Sequence, residues 1–212
     1  MKTIDAIRAA VRRFMGYVAR GLNRVTGGKL SPDAVTIFGF LMHIPIALLI
    51  AAGVFNILAA GMLLVFGLFD ALDGELARLQ GRESNRGGLL DASTDRMKEV
   101  LLYSGAAYAF ALSNHPTTAA WAAAACGASI CVSYVKAKGE TIVASLSHKG
   151  ESYAKLNRMF KDGLLTFELR MFVLIVGLLT NRLVIAVACV TLLASFTALQ
   201  RLVKISKALT DV

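Results

Sequence analysis

The chain has 212 residues, of which 56% are hydrophobic and only 17% charged, and its mean hydropathy is +0.62. Soluble domains average about 25% charged residues, so the composition excludes an ordinary water-soluble core and points to an integral membrane protein. The formal charge of +9 would fit a nucleic-acid binder, but the basic residues crowd alternate connections between apolar runs. That is the pattern of loops held on the cytoplasmic side of a membrane, and no nucleic-acid partner is expected.

Seven of the 23 Lys and Arg precede the first long apolar run: Lys2, Arg8, Arg12, Arg13, Arg20, Arg24 and Lys29. Between them Ile4, Ile7, Val11, Phe14, Val18 and Leu22 recur at helical spacing. Residues 1–30 are therefore predicted to form an amphipathic helix lying in the membrane interface, with packing on another protein as the alternative. The segment lacks the layout of a signal peptide. Gly27, Gly28 and Pro32 interrupt it.

Six apolar segments follow, at about Ala34–Phe55, Ile57–Leu79, Leu89–Leu112, Thr117–Val143, Leu164–Thr180 and Leu183–Val203. Each is near the roughly 20 residues that cross a bilayer core. Further basic clusters fall between the second and third segments (Arg78, Arg82, Arg86, Arg96, Lys98) and around the fourth and fifth (Lys136, Lys138, Lys149, Lys155, Arg158, Lys161). An even number of spans returns Arg201, Lys204 and Lys207 to the same side as the N-terminus. The expected fold is an all-α integral membrane protein, six transmembrane helices preceded by an N-terminal amphipathic juxtamembrane helix. It is expected to be one domain over 1–212, with an interfacial helix at 1–30 and a six-helix bundle at 34–207. Its place is the cell membrane, with both termini and the active site facing the cytoplasm. The Ser145–Asp162 connection is the longest polar one and is expected to be mobile. Cys126, Cys131 and Cys189 read as small buried hydrophobes. His43, His115 and His148 show no ligand spacing, and His43 reads as a packing residue.

Chemistry gathers where the second segment ends, FDALDGELARLQ, and the third begins, GLLDASTDRMKEV. Asp70 and Asp73 stand three apart and Asp91 and Asp95 four apart, spacings that put each pair on one helix face. Four converging carboxylates would repel strongly. One or two divalent cations would relieve the repulsion, and all-oxygen ligation favours Mg²⁺ or Mn²⁺. Gly74 and Ala77 leave the same face nearly bare, so a phosphorylated ligand can approach the backbone. Arg78 beside them is a permanent donor suited to phosphate. Metals, bridging phosphates and an arginine are the equipment of phosphoryl transfer. The competing reading is that these aspartates are solvated or salt-bridged to Arg82, Arg86 and Arg96.

Asp70-x-x-Asp73-Gly74-x-x-Ala77-Arg78, then eight residues, then Gly87-x-x-x-Asp91-x-x-x-Asp95 resembles the complete signature of the CDP-alcohol phosphotransferases. The resemblance implies a Mg²⁺- or Mn²⁺-dependent displacement, with two ions, on a CDP-linked lipid or alcohol, releasing CMP. It implies Asp70, Asp73, Asp91 and Asp95 as metal ligands, with Asp95 also the catalytic base. Gly74, Ala77 and Arg78 would line the cytidine diphosphate site, joined by Asp33 and Thr36 of Ser31-Pro32-Asp33-Ala34-Val35-Thr36 and by Ser84. It also implies a homodimer, for which Gly and Ala supply close-packing surfaces.

Within that family, Ser133-Tyr134-Val135-Lys136-Ala137-Lys138-Gly139-Glu140 is similar to a segment of the phosphatidylinositol-phosphate synthases of actinobacteria. Glu168 and Arg170 resemble their entry to the fifth span. This implies that Ser133, Lys136, Lys138 and Arg170 bind the phosphate of a phosphorylated polyol, inositol 1-phosphate first and glycerol 3-phosphate second. Lys138 stands where those enzymes carry arginine, and the fifth-span entry differs in spacing. The plain alternative is that Lys136 and Lys138 snorkel to an anionic interface. The activated lipid is CDP-diacylglycerol or an ether-linked counterpart. An ion transporter is the rival from another class. It predicts carboxylates near the bilayer midplane and broken helices in matching halves, and neither is legible here.

Overall fold

In the computed structural model residues 2–113, 116–145 and 166–210 are described, the side chains of residues 2–5, 143–145 and 208–210 excepted. His115, His148, the side chain of Ile4, the connection after Ser145 and the start of the fifth apolar segment at Leu164 lie outside the described residues. Every regular element among the described residues is helical: α1 (Lys2–Val25), α2 (Pro32–Ala52), α3 (Asn56–Gly67), α4 (Phe69–Gln80), α5 (Asn85–Ala111), a 3₁₀ turn (Pro116–Thr118), α6 (Ala119–Ser145), α7 (Phe167–Leu179) and α8 (Leu183–Thr210). They form two compact units, Met1–Leu102 and Tyr103–Val212, with the boundary inside α5.

Among the described residues, four stretches are long and apolar enough to cross a membrane: Pro32–Ala52, Asn56–Gln80, Pro116–Ile142 and Leu183–Lys207. Large apolar side chains point outward along them, Leu48, Leu64, Leu192 and Leu199 among others, as a lipid-facing surface requires. The third and fifth expected spans do not meet that standard. α5 is long enough but carries Arg86, Asp91, Asp95, Arg96, Lys98 and Glu99, and α7 is described over only 13 residues.

In the first unit, Met15 and Ala19 of α1 pack with Val35 of α2 and Leu72 and Leu76 of α4, flanked by Val11, Val18 and Leu22. The predicted apolar face therefore divides. Val11, Val18 and Leu22 turn to the protein, while Ile7 and Phe14 stay exposed beside Tyr17. Gln80 fastens α1 and the following loop to α4, its side-chain N–H donating to Asn23 Oδ1 at 2.8 Å and to the Leu30 carbonyl at 2.9 Å. The second apolar segment, expected as one helix, breaks at Leu68 into α3 and α4, and the Leu68 carbonyl accepts from both Ala71 and Leu72. In α2, His43 is buried with Nδ1 on the Gly39 carbonyl at 2.7 Å, a satisfied packing residue as expected.

In the second unit, small buried residues of α6 (Ala122, Ala125, Ser129) and of α8 (Ala186, Ala194) allow close helix packing. Thr191 donates across the interface to the Trp121 carbonyl at 3.1 Å. α7 meets α8 where Gly177 leaves no room: a Cβ there would lie 2.3 Å from that of Ala186. The cysteines correct the sequence reading, since Cys131 and Cys189 are exposed on their helices and Cys126 is intermediate. Outward sites on a membrane helix are apolar too, so hydropathy alone could not assign them inward.

Candidate active site

Three helix ends build the first unit's site. Ser31 caps α2, its hydroxyl oxygen accepting from the Ala34 N–H at 3.2 Å, and Pro32 fits the first turn because its missing N–H is not needed there. That cap fixes Asp33 and Thr36 on successive turns. Gly39, the next position on the Thr36 side, lets α4 approach: a Cβ would come within 3.0 Å of Phe69 Cβ. The approach brings the Thr36 hydroxyl onto Asp73, donating to Oδ2 at 2.5 Å. α4 stops at Gly81, whose φ of +63° suits glycine, with the Arg82 N–H closing on the Ala77 carbonyl at 3.0 Å. α5 then starts under a second cap, Ser84 Oγ accepting from the Gly87 N–H at 3.0 Å. A Cβ on Gly87 would meet Ser84 Oγ at 3.3 Å and Asp33 Oδ1 at 3.7 Å, and Arg86 pairs with Asp33 at 3.8 Å. The motif glycine thus lies where the start of α5 comes near Asp33 of α2.

These constraints gather three of the four aspartates. One oxygen from each of Asp70, Asp91 and Asp95 lies within 4.8 Å of the others. Asp73 is buried next to them in sequence but faces Thr36 and stands outside that trio. Asp91 Oδ1 is buried with no hydrogen-bond partner among the described residues. A buried, unsatisfied carboxylate oxygen is costly unless a cation completes it, so this all-oxygen cluster fits a divalent metal. Arg78, half exposed, bonds to Glu75 and lies over Gly74, where a Cβ would be 3.7 Å from its Nη2.

Sequence reasoning named Arg96 as a salt-bridge partner of these aspartates in its competing reading but missed Lys98. Lys98, counted among the cytoplasmic loop residues, is 0% exposed and bonds to Asp70 Oδ1 and, at 3.2 Å, to Asp95 Oδ1. Arg96 reaches Asp95 Oδ2 at 3.4 Å and Glu99 at 3.3 Å, and Glu99 is itself fully buried. The available signal was the i,i+3 spacing of Asp95 with Lys98 and of Arg96 with Glu99.

The predicted acceptor residues belong to the second unit and divide. Ser133 Oγ donates to the Ser129 carbonyl at 3.3 Å. Lys136, one turn on, is exposed and faces Glu140 at 3.8 Å. Lys138 is also exposed, but α6 turns it about 140–160° away from both, so the helix does not gather it with them. Arg170 is buried to 1% exposure. Arg201, 8% exposed, feels the like charge of Arg170 and the opposite charge of Glu140. Arg201 Nη1 donates to the Val132 carbonyl at 3.1 Å, and its buried Nε has no partner among the described residues. Arg201 was read as a C-terminal flanking charge. Its place inside the last apolar segment was the signal for an intramembrane functional residue.

An all-helical fold with membrane-length apolar helices and an acidic cluster fit for a metal defines a class of integral membrane protein built around buried carboxylates. The family follows from comparison: residues 29–195 match CDP-alcohol phosphatidyltransferase, and the chain belongs to that family. Its curated relatives include phosphatidylinositol phosphate synthases of Cutibacterium acnes, 30% identical over 66% of each chain, and of Mycobacterium tuberculosis, 36% identical over 63% of this chain and 60% of that one. An archaetidylinositol phosphate synthase of Pyrococcus horikoshii is 34% identical over 49% of this chain and 53% of that one. These alignments span about half to two thirds of the relatives' lengths. The fold is similar to the crystal structure of the Mycobacterium tuberculosis synthase with CDP-DAG bound, at a TM-score of 0.74 and 26% identity, covering 91% of this chain and 94% of that one. The same enzyme in complex with manganese and citrate matches at 0.74 and 25% identity, over 90% and 88%.

Proposed function

We propose that this chain moves a phosphatidyl group from CDP-diacylglycerol, or its ether-lipid counterpart, to a phosphorylated polyol, inositol 1-phosphate first, releasing CMP. The observation that carries the reading is the meeting of Asp70, Asp91 and Asp95 around an unsatisfied Asp91 oxygen. It is supported by the family and by a similar enzyme that holds CDP-DAG in one structure and manganese in another. Asp70, Asp73, Asp91 and Asp95 would hold Mg²⁺ or Mn²⁺, two ions in this reading. When bound, the metal supplies counter-charge to the diphosphate.

The chain's own residues do the rest. Arg78, above the bare Gly74 and near Ala77, donates to the phosphates of the nucleotide. Asp33, Thr36 and Ser84 line the cytidine side in this reading, with Asp33 and Ser84 both near Gly87. Asp95 takes the acceptor hydroxyl's proton as the oxygen attacks the lipid-bearing phosphorus and the bond to CMP breaks. Ser133, Lys136 and Arg170 receive the acceptor phosphate, with Lys138 kept in the set on resemblance alone. Arg201 joins them because a second buried guanidinium beside Arg170 suits a doubly charged anion.

The same reading takes α5 and the segment at 164–180 as the third and fifth of six spans, in one domain over 1–212. α5 tolerates its charges because Asp95, Arg96, Lys98 and Glu99 pair with one another and Lys98 with Asp70 of α4. α1 lies in the interface, presenting Ile7, Phe14 and Tyr17 to lipid and its arginines to headgroups. Termini and site face the cytoplasm, and a second copy completes a homodimer.

The test is CMP release by purified protein with CDP-diacylglycerol, Mg²⁺ and, separately, inositol 1-phosphate, glycerol 3-phosphate, inositol and serine. Release with inositol 1-phosphate above the others is expected. Preference for glycerol 3-phosphate would retain the chemistry and defeat the acceptor assignment, and silence with all four would defeat the proposal.

A further inference from the structure

Lys98 has no place in the reaction just described, yet it bonds to two carboxylates of the site. Its side chain is fully buried, and its ammonium bonds to Asp70 Oδ1 and to Asp95 Oδ1. Those are two of the three carboxylates that converge within 4.8 Å. An ammonium and a divalent cation draw on the same oxygen lone pairs. A metal ligated by Asp70 and Asp95 would also face a fixed positive charge on two of its own ligands, in surroundings that screen poorly. The unpartnered oxygen of Asp91 marks the part of the cluster that the lysine does not fill. Arg96 holds Asp95 through the other oxygen and is braced by Glu99, so Asp95 keeps one anchor if Lys98 leaves. Lysine is suited to leaving, being a compact head on four flexible methylenes.

We propose that Lys98 is a tethered cation that shares the carboxylate site with metal: it holds Asp70 and Asp95 together before metal arrives and releases both when a divalent ion binds. The inference rests on the metal reading of the trio, and it makes metal binding weaker, and the metal-free protein more stable, than in a chain without the ammonium.

The experiment compares Mn²⁺ binding to wild-type protein and to Lys98→Met in nanodiscs without substrate, by calorimetry, together with unfolding midpoints in EDTA and in saturating Mn²⁺. Methionine keeps most of the stem and drops the charge. Mn²⁺ should bind the variant at least about tenfold more tightly. The variant's midpoint should fall below wild type in EDTA, and Mn²⁺ should raise it by more. Equal or weaker Mn²⁺ binding by Lys98→Met overturns the proposal and leaves the metal site standing. Binding to neither protein overturns both. Should the variant not fold, a Mn²⁺-loaded structure of the wild type decides. Lys98 Nζ beyond hydrogen-bond distance of Asp70 and Asp95 is expected there, and Nζ still on both carboxylates beside bound Mn²⁺ overturns the proposal.

Discussion

In the first unit the buried charge is chiefly acidic and its partners come from the chain itself: Lys98 for Asp70 and Asp95, Arg96 for Asp95 and Glu99. Among the described residues of the second it is basic: Arg170 and Arg201 are buried, and Arg201 leans on the main-chain carbonyl of Val132. Removing a charge from water costs several kcal/mol unless partners compensate it. The acidic region meets part of that cost locally, through residues three positions apart on α5 and through α4, and leaves Asp91 Oδ1 without a partner among the described residues. The basic region buries two guanidinium groups, and Arg201 feels both the repulsion of Arg170 and the attraction of Glu140. The proposed transfer accordingly assigns its metal ligands to the first unit and its acceptor-phosphate contacts to the second.

That division can be broken by substitution. The largest effect is expected at Asp95→Asn, which should lower CMP release by about 10²–10⁴-fold while circular dichroism shows the helix content unchanged. Retained activity would remove Asp95 as the base. Arg201→Met comes next. Losing a charge-assisted bond to phosphate should raise the acceptor KM by about 10–100-fold, with the KM for CDP-lipid nearly unaltered. An equal rise in both would end the assignment of one substrate charge to each unit. Gly177→Ala probes packing without touching charge. Its methyl must displace Ala186, and overpacking of this kind costs about 1–3 kcal/mol, seen as a lower unfolding midpoint with Mn²⁺ affinity unaltered. The smallest effect is expected at Lys138→Ala, which should change acceptor KM by less than about twofold, and by less than Lys136→Ala does. The reverse order would show that the side of α6 carrying Lys138 is the one that acts.

Much of the acidic region was legible because its signal is local. Asp70 to Asp95, with Gly74, Gly87 and Arg78, lie within 26 consecutive residues, and helical periodicity places them on adjoining helix ends. What periodicity cannot supply is the rotation of each side chain. Asp73 shares a face with Asp70, but the close approach of α2 at Gly39 turns it to Thr36. Lys98 was read as a loop charge because composition marks basic residues as flanking, whereas its burial depends on carboxylates from two helices. Arg201 was misread for the same reason, its environment being set by Val132, 69 positions away. The break at Leu68 carries no proline to announce it, and Pro45 lies inside an unbroken α2. The sidedness of α1 was half legible: amphipathicity foretold the helix, and tertiary packing chose which apolar residues it buries.

The most direct test of the central claim is the mass of the lipid product formed from CDP-diacylglycerol and inositol 1-phosphate by the wild-type protein, with Mg²⁺ and after EDTA. The account predicts a phosphatidylinositol phosphate formed in step with CMP, and nothing once the metal is removed. Phosphatidic acid in its place, or an inositol lipid formed equally well in EDTA, would contradict a metal-dependent transfer at Asp70, Asp91 and Asp95.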